Sequence, residues 1–144
     1  MNMNTQNENQ QAEPKPVTVN AVCVDVIDLG IVETPWGHKP QVKFVFESDQ
    51  RSLFGEQRIL VRTFNKSTYK KSALRQFVKS WCDRDLAEEA NCGTMDLHNL
   101  IGQQARLKTL LTPTQRGGWF DQIVAIRKPG KVQLQPSGNY QRQD

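Results

Sequence analysis

Between residues 17 and 64 the apolar positions recur every second residue in three separate runs, the period of half-buried β-strands. In the first run, residues 17–31, Val22, Val24 and Val26 share one phase, which then slips to Ile27, Leu29 and Ile31. A slip inside a strand implies a bulge or a sharp bend, and Gly30 eases it. Residues 41–47 alternate cleanly, with Val42, Phe44 and Phe46 opposite Lys43, Val45 and Glu47. Residues 58–64 repeat the pattern after a polar turn containing Gly55; Ile59 and Val61 are expected inside, and Arg58, Leu60, Arg62 and Phe64 outside.

The period then changes. Leu74, Phe77, Val78 and Trp81 fall at i, i+3, i+4 and i+7, one stripe of a helix, with Ser72 as a candidate cap. A short acidic helix or turn is expected over residues 86–90, ended by 91–93. "DLHNLIG" leads into a fourth strand, where Ala105, Leu107, Thr109 and Leu111 oppose Arg106, Lys108 and Leu110. "TPTQRGG" is a turn, and residues 119–128 form a fifth strand.

The order β-β-β-α-β-β, with one helix between the third and fourth strands, is that of a mainly β OB-fold, a five-stranded, partly open Greek-key barrel. The expected domain is 17–128. Residues 1–16 and 129–144, rich in Asn, Gln and Pro, are expected to be disordered tails, because their few apolar groups cannot offset the entropy of ordering.

Charge sharpens the picture. The net charge is only +4, but residues 57–82 hold seven basic residues and no acid, while 83–96 hold five acids and one arginine. Such segregation makes a one-sided field and points toward a polyanion. The plain alternative is solvated helix and strand faces. Three widely spaced cysteines without a CxxC pair, and two distant histidines, argue against a disulfide framework or a zinc site. With no apolar run of membrane length and no secretory leader pattern, a cytoplasmic protein with reduced thiols is expected.

Trp36 stands in a turn, between Pro35 and Gly37, beside His38 and Lys39. In an OB-fold the surface of strands 2 and 3, with the 1–2 and 4–5 loops, binds oligonucleotides or oligosaccharides. That placement gathers Trp36 and Lys39 from one loop and Arg116 and Trp119 from the other. It adds Lys43, Arg58, Arg62 and Phe64 from the strands, and Lys66 and Tyr69 just after. Cations that track phosphates and flat side chains that stack on bases are what single-strand binders require. The plain reading of either tryptophan is a lid over the barrel end, and that of Phe64 an edge-of-core residue.

The motifs "VIDLG", "PQVKFVFE", "RTFNKSTYKKSALRQFVKSW", "DLHNLIG" and "FDQIVAI" occur in that order. Over residues 22–128 the chain resembles a family of small OB-fold proteins encoded by bacteriophages and mobile elements. Members of that family are treated as single-stranded-DNA-binding proteins of replication or recombination modules. The resemblance implies that Arg62 and Phe64 lie on the DNA face, that Leu74 and Trp81 are structural, and that replication or recombination proteins are partners. The chain departs from the pattern in its more basic "NKST" and in ending "GNYQRQD", without the acidic tip and terminal aromatic of typical bacterial single-strand binders. Recruitment through the tail is therefore not expected.

Residues and resemblance together lead to a non-catalytic single-stranded-DNA-binding protein without cofactor or metal. The competing reading is an interaction module that docks an acidic protein. Asp25 and Asp28 are the nearest approach to a metal-holding carboxylate pair, as a nuclease would need, but a regular strand puts their odd spacing on opposite faces.

Overall fold

The computed structural model describes residues 15–143, except for 52–54, 56 and 70. Strands β1 (Val17–Thr34), β2 (Gly37–Arg51) and β3 (Gln57–Asn65) come first. Helices α1 (Ala73–Cys82) and α2 (Leu86–Cys92), a 3₁₀ turn (His98–Leu100), and strands β4 (Gln104–Pro113) and β5 (Trp119–Arg127) follow. The strands form one antiparallel sheet in the order β3-β2-β1-β4-β5.

Two features of the expected fold are corrected. The sheet is open: among the described residues no ladder joins edge strands β3 and β5, so the barrel is not closed. Instead side chains span the gap. Arg58 on β3 forms an ion pair with Asp121 on β5, and Arg62 Nη1 donates to the Ile123 carbonyl. The acidic stretch expected as a helix or turn over 86–90 is a helix, so the segment between β3 and β4 carries two α-helices where the β-β-β-α-β-β order has one.

Strand β1 is bulged, but not where the phase slip placed the break: Val26 parts from Val22 and Val24, and Ile27 shares their face. Its register against β2 shifts between Cys23 and Asp25 and again between Asp28 and Gly30. Gly30 adopts φ +69°, in the left-handed region that glycine enters without steric cost. Alternation lets β1 feed both faces of the sheet, the bulge near Cys23 and Asp25 resets the phase, and Val45 of β2 joins the second face. Val19, Ala21, Cys23 and Val26 join the main core, whereas Val22, Val24, Ile27 and Val45 form a second cluster.

The main core is built around α1. Ser72 caps the helix, its hydroxyl accepting from Arg75 N at 3.1 Å, and Leu74, Phe77, Val78 and Trp81 are buried. Phe44, Phe46, Phe64, Phe77 and Trp81 pack with ring centroids 4.8–6.4 Å apart, within the range of favourable aromatic pairs. The Trp81 indole N–H donates to the Gln104 carbonyl at 2.8 Å and ties α1 to β4.

The expected facing of β3 is inverted. Leu60 and Phe64 are buried, Phe64 at 4 % exposure, while Ile59 and Val61 are exposed. Both residue sets alternate, so period alone could not choose the face; the α1 aromatics accept a phenyl ring more readily than a β-branched chain.

Residues 129–143 also depart from expectation. They carry no helix or strand, yet they lie against the sheet. Leu134 and Tyr140 cover the second cluster. Gln104 exchanges two hydrogen bonds with the Leu134 backbone, both at 2.7 Å. Glu47 accepts from Ser137 N and Oγ, and Asp25 Oδ2 accepts from the Tyr140 hydroxyl and Gln143 N. Asp25 and Glu47 are both fully buried, and a buried carboxylate needs such donors. Of the N-terminal tail, residues 1–14 lie outside the described residues.

Candidate nucleic-acid interface

Where β3 ends and α1 begins, the chain opens a cleft of about 540 Å³. Arg62 and Phe64 line its floor, Gln41 and Asn65 one side, and Tyr69, Lys71 and Ser72 the other. Three of these, Arg62, Phe64 and Tyr69, are expected binding residues, and the structure brings them together. The loop between β3 and α1 is tied down locally: Ser72 Oγ donates to the Ser67 carbonyl at 2.7 Å, and Ser72 N to the Tyr69 carbonyl at 2.9 Å. Tyr69 nonetheless leaves its ring 76 % exposed.

Arg62 sits over the Phe64 ring, its guanidinium carbon 4.9 Å from the centroid, a cation–π distance. Partial burial lowers its pKa from the ordinary arginine value, while leaving it a cation at any physiological pH. Phe64 itself belongs to the core. Its ring supports Arg62 and cannot serve as an open stacking platform, which corrects the expected role.

The second feature is an arm. β3 pairs with β2 only from Gln41 onward, and β4 pairs with β1 only over Val17–Val22, so the β1–β2 hairpin between Gly30 and Pro40 has no neighbouring strand. Trp36 stands at its tip, 84 % exposed. The Thr34 hydroxyl donates to the Gly37 carbonyl at 2.6 Å and accepts from Trp36 N at 3.2 Å, which fixes the two-residue turn. Gly37 takes φ +112°, a value side chains rarely adopt. The indole is therefore presented on a defined turn. At the arm's base, Asp28 accepts from Gly30 N and from Lys66 Nζ, each at 2.9 Å. The Gly30 N–H first, and then the Lys66 ammonium, hold the Asp28 carboxyl below its ordinary pKa.

Several expected cations are already engaged. Arg58 pairs with Asp121 and Lys66 with Asp28; on α1, Arg75 pairs with Asp85 and Lys79 with Asp83. The acidic block thus pairs two cations of the basic block, and Asp121 and Asp28 pair two more, so the one-sided field expected from composition is weaker than the sequence implies. Lys39, Lys43 and Arg116 have no carboxylate partner among the described residues. Trp119 is 57 % exposed where β5 begins, opposite Pro113. The register places it at the end of β1 remote from the Trp36 arm.

Lys71 was not among the expected site residues. Its place directly before the Ser72 cap was the available signal, since a cation there flanks any anion at the helix start.

No protein-family model matches the chain, no curated protein matches it, and no solved structure matches it. Among the described residues no helix is long and apolar enough to cross a membrane.

Proposed function

We propose that this protein binds single-stranded DNA without catalysis, in a replication or recombination setting. The observation that carries the reading is the cleft: an exposed tyrosine, an arginine and a lysine with no carboxylate partner among the described residues line one opening at the start of α1. A base stacks on Tyr69 while its phosphate meets Arg62 and Lys71. The arm adds Trp36 as a second stacking surface, with Lys39 and Lys43 along the same hairpin. The strand is held by charge and by π-faces that every base shares, so little sequence preference is expected.

Fluorescence titration tests this reading. Oligo-dT should quench tryptophan emission, bind better than duplex, and weaken steeply as salt rises. Failure of every single strand to bind in low-salt buffer would falsify it.

One observation favours a second reading. The arm also exposes Leu29 and Ile31, apolar groups that a nucleic acid does not need and that an acidic protein partner would cover. Partners captured from a nuclease-treated lysate by the wild type and lost with Ile31→Lys would favour it.

A further inference from the structure

The cations that α1 and β3 lose to internal pairing are matched by a group on another face in which no cation forms an ion pair among the described residues. Between residues 104 and 131 the chain has six basic residues and one acid, Asp121, and Asp121 is taken by Arg58. In β4, Ala105 and Leu107 point into the main core, so Arg106 and Lys108 point to the opposite face of the sheet. Arg127 on β5 lies directly across from Arg106. On the other side, Thr18 of β1 lies across from Lys108.

Like charges directly opposite one another destabilise a sheet, and among the described residues no ion pair compensates them: the carboxylate the register brings near, Asp49, is held by Asn20, which lies across from Arg106 on β1. Neither Lys108 nor Arg127 has a carboxylate partner among the described residues. Arg106 Nε donates to the Lys128 carbonyl at 2.9 Å, which orients the guanidinium and leaves its two terminal nitrogens uncommitted. Thr18, Arg106, Lys108, Ala125 and Arg127 line a hollow of about 200 Å³.

We infer that Arg106, Lys108 and Arg127 form a phosphate-binding site on the face of the sheet turned away from α1. Two guanidinium forks, an ammonium and a hydroxyl supply the donors that phosphate oxygens accept, and arginine suits their geometry. Size limits what enters: pockets for whole drug-sized molecules run to about 300–1,000 Å³, so this hollow holds a phosphate group, and any nucleoside attached to it stays outside. The phosphate comes either from the backbone of a bound strand or from free phosphate. The site shares no residue with the Arg62–Tyr69 cleft.

The test is a nuclear magnetic resonance titration of the full chain at constant ionic strength, with inorganic phosphate and, separately, with oligo-dT. Phosphate should produce saturable shifts at Arg106, Lys108 and Arg127 that matched chloride does not, and Arg127→Gln, at an exposed position, should weaken binding at least about fivefold, the order of one charge-assisted contact. If oligo-dT moves the same residues, the strand is a source; if only phosphate does, the ligand is free phosphate. Shifts no different from chloride with both probes overturn the site. Response to oligo-dT at Tyr69 and Lys71 alone, with phosphate inert, overturns this site and leaves the cleft standing. Saturable phosphate shifts without any response at Tyr69 and Lys71 to oligo-dT do the reverse.

Discussion

Arg62 on β3 and Ile123 on β5 hold the two edges of the sheet together: the guanidinium donates to the Ile123 carbonyl across a gap that no backbone ladder closes. Arg58 and Asp121 repeat the link further along the same seam. One arginine thus fastens the fold and floors the cleft at once. Arg62→Met keeps the length and removes both roles. It is expected to lower stability by about 1–3 kcal/mol, the range for a hydrogen bond to a charged group, in urea unfolding. Oligo-dT affinity should fall with it, and Arg62→Lys should restore charge without the seam.

Exposed and buried aromatics should separate cleanly. Trp36→Ala and Tyr69→Ala remove well-solvated rings and should leave the unfolding midpoint within about 0.5 kcal/mol, as surface changes do. Each is expected to weaken oligo-dT binding by about 1–3 kcal/mol, the worth of one stacked base. Phe64→Ala opens the aromatic core and should cost about 3–5 kcal/mol of stability. Parallel unfolding and binding curves check all three; equal stability losses would remove the distinction.

Truncation after Gly130 strips Leu134, Ser137 and Tyr140 from the sheet. The lost contacts are offset in part by the entropy returned to the segment, so a net loss of about 1–3 kcal/mol is expected. The clearer sign is exposure of Val22, Val24, Ile27 and Val45, read as increased binding of an apolar dye. Tyr140→Phe, which removes one donor from Asp25 and leaves a buried carboxylate short of partners, should cost about 1 kcal/mol alone.

The base of the arm depends on an ionised Asp28. Its folded-state pKa lies below the ordinary value of 3.8, so its contribution is present above that value and is lost as the pH falls through the lower, folded value. A carboxyl-detected titration should show Asp28 protonating at a lower pH than it does in the unfolded chain. In Lys66→Gln the titration should move back up, though not fully, because the Gly30 N–H remains.

Burial pushes the Cys23 thiol up from 9.0 to about 12. The folded state therefore resists forming that thiolate. Its contribution to stability is undiminished below pH 9 and is lost as the pH rises toward 12, where the unfolded chain ionises first. At pH 8, alkylation of the native protein should mark exposed Cys92 rapidly and Cys23 only after unfolding. In Cys23→Ala the alkaline fall in stability should be shallower.

Strand and helix periods were legible because each reflects a local geometry: Phe44 and Phe46 two apart, Leu74 to Trp81 along one helical stripe. That β1 is irregular was legible for the same reason, since a slip of phase requires a bulge or a bend; where the bulges fall was not. Exposure of Trp36 followed from the proline and glycine beside it. What lay beyond the sequence was every choice between equivalent partners. The face of β3 that meets α1, the acids that claim Arg58 and Lys66, and the buried carboxylates that hold a polar tail were all decided by residues distant along the chain. Alternation states that a strand has two faces; only packing against a third element says which is inside. A charge count, likewise, cannot tell a free cation from one paired across the fold, because Coulomb attraction acts through space and takes no account of sequence order.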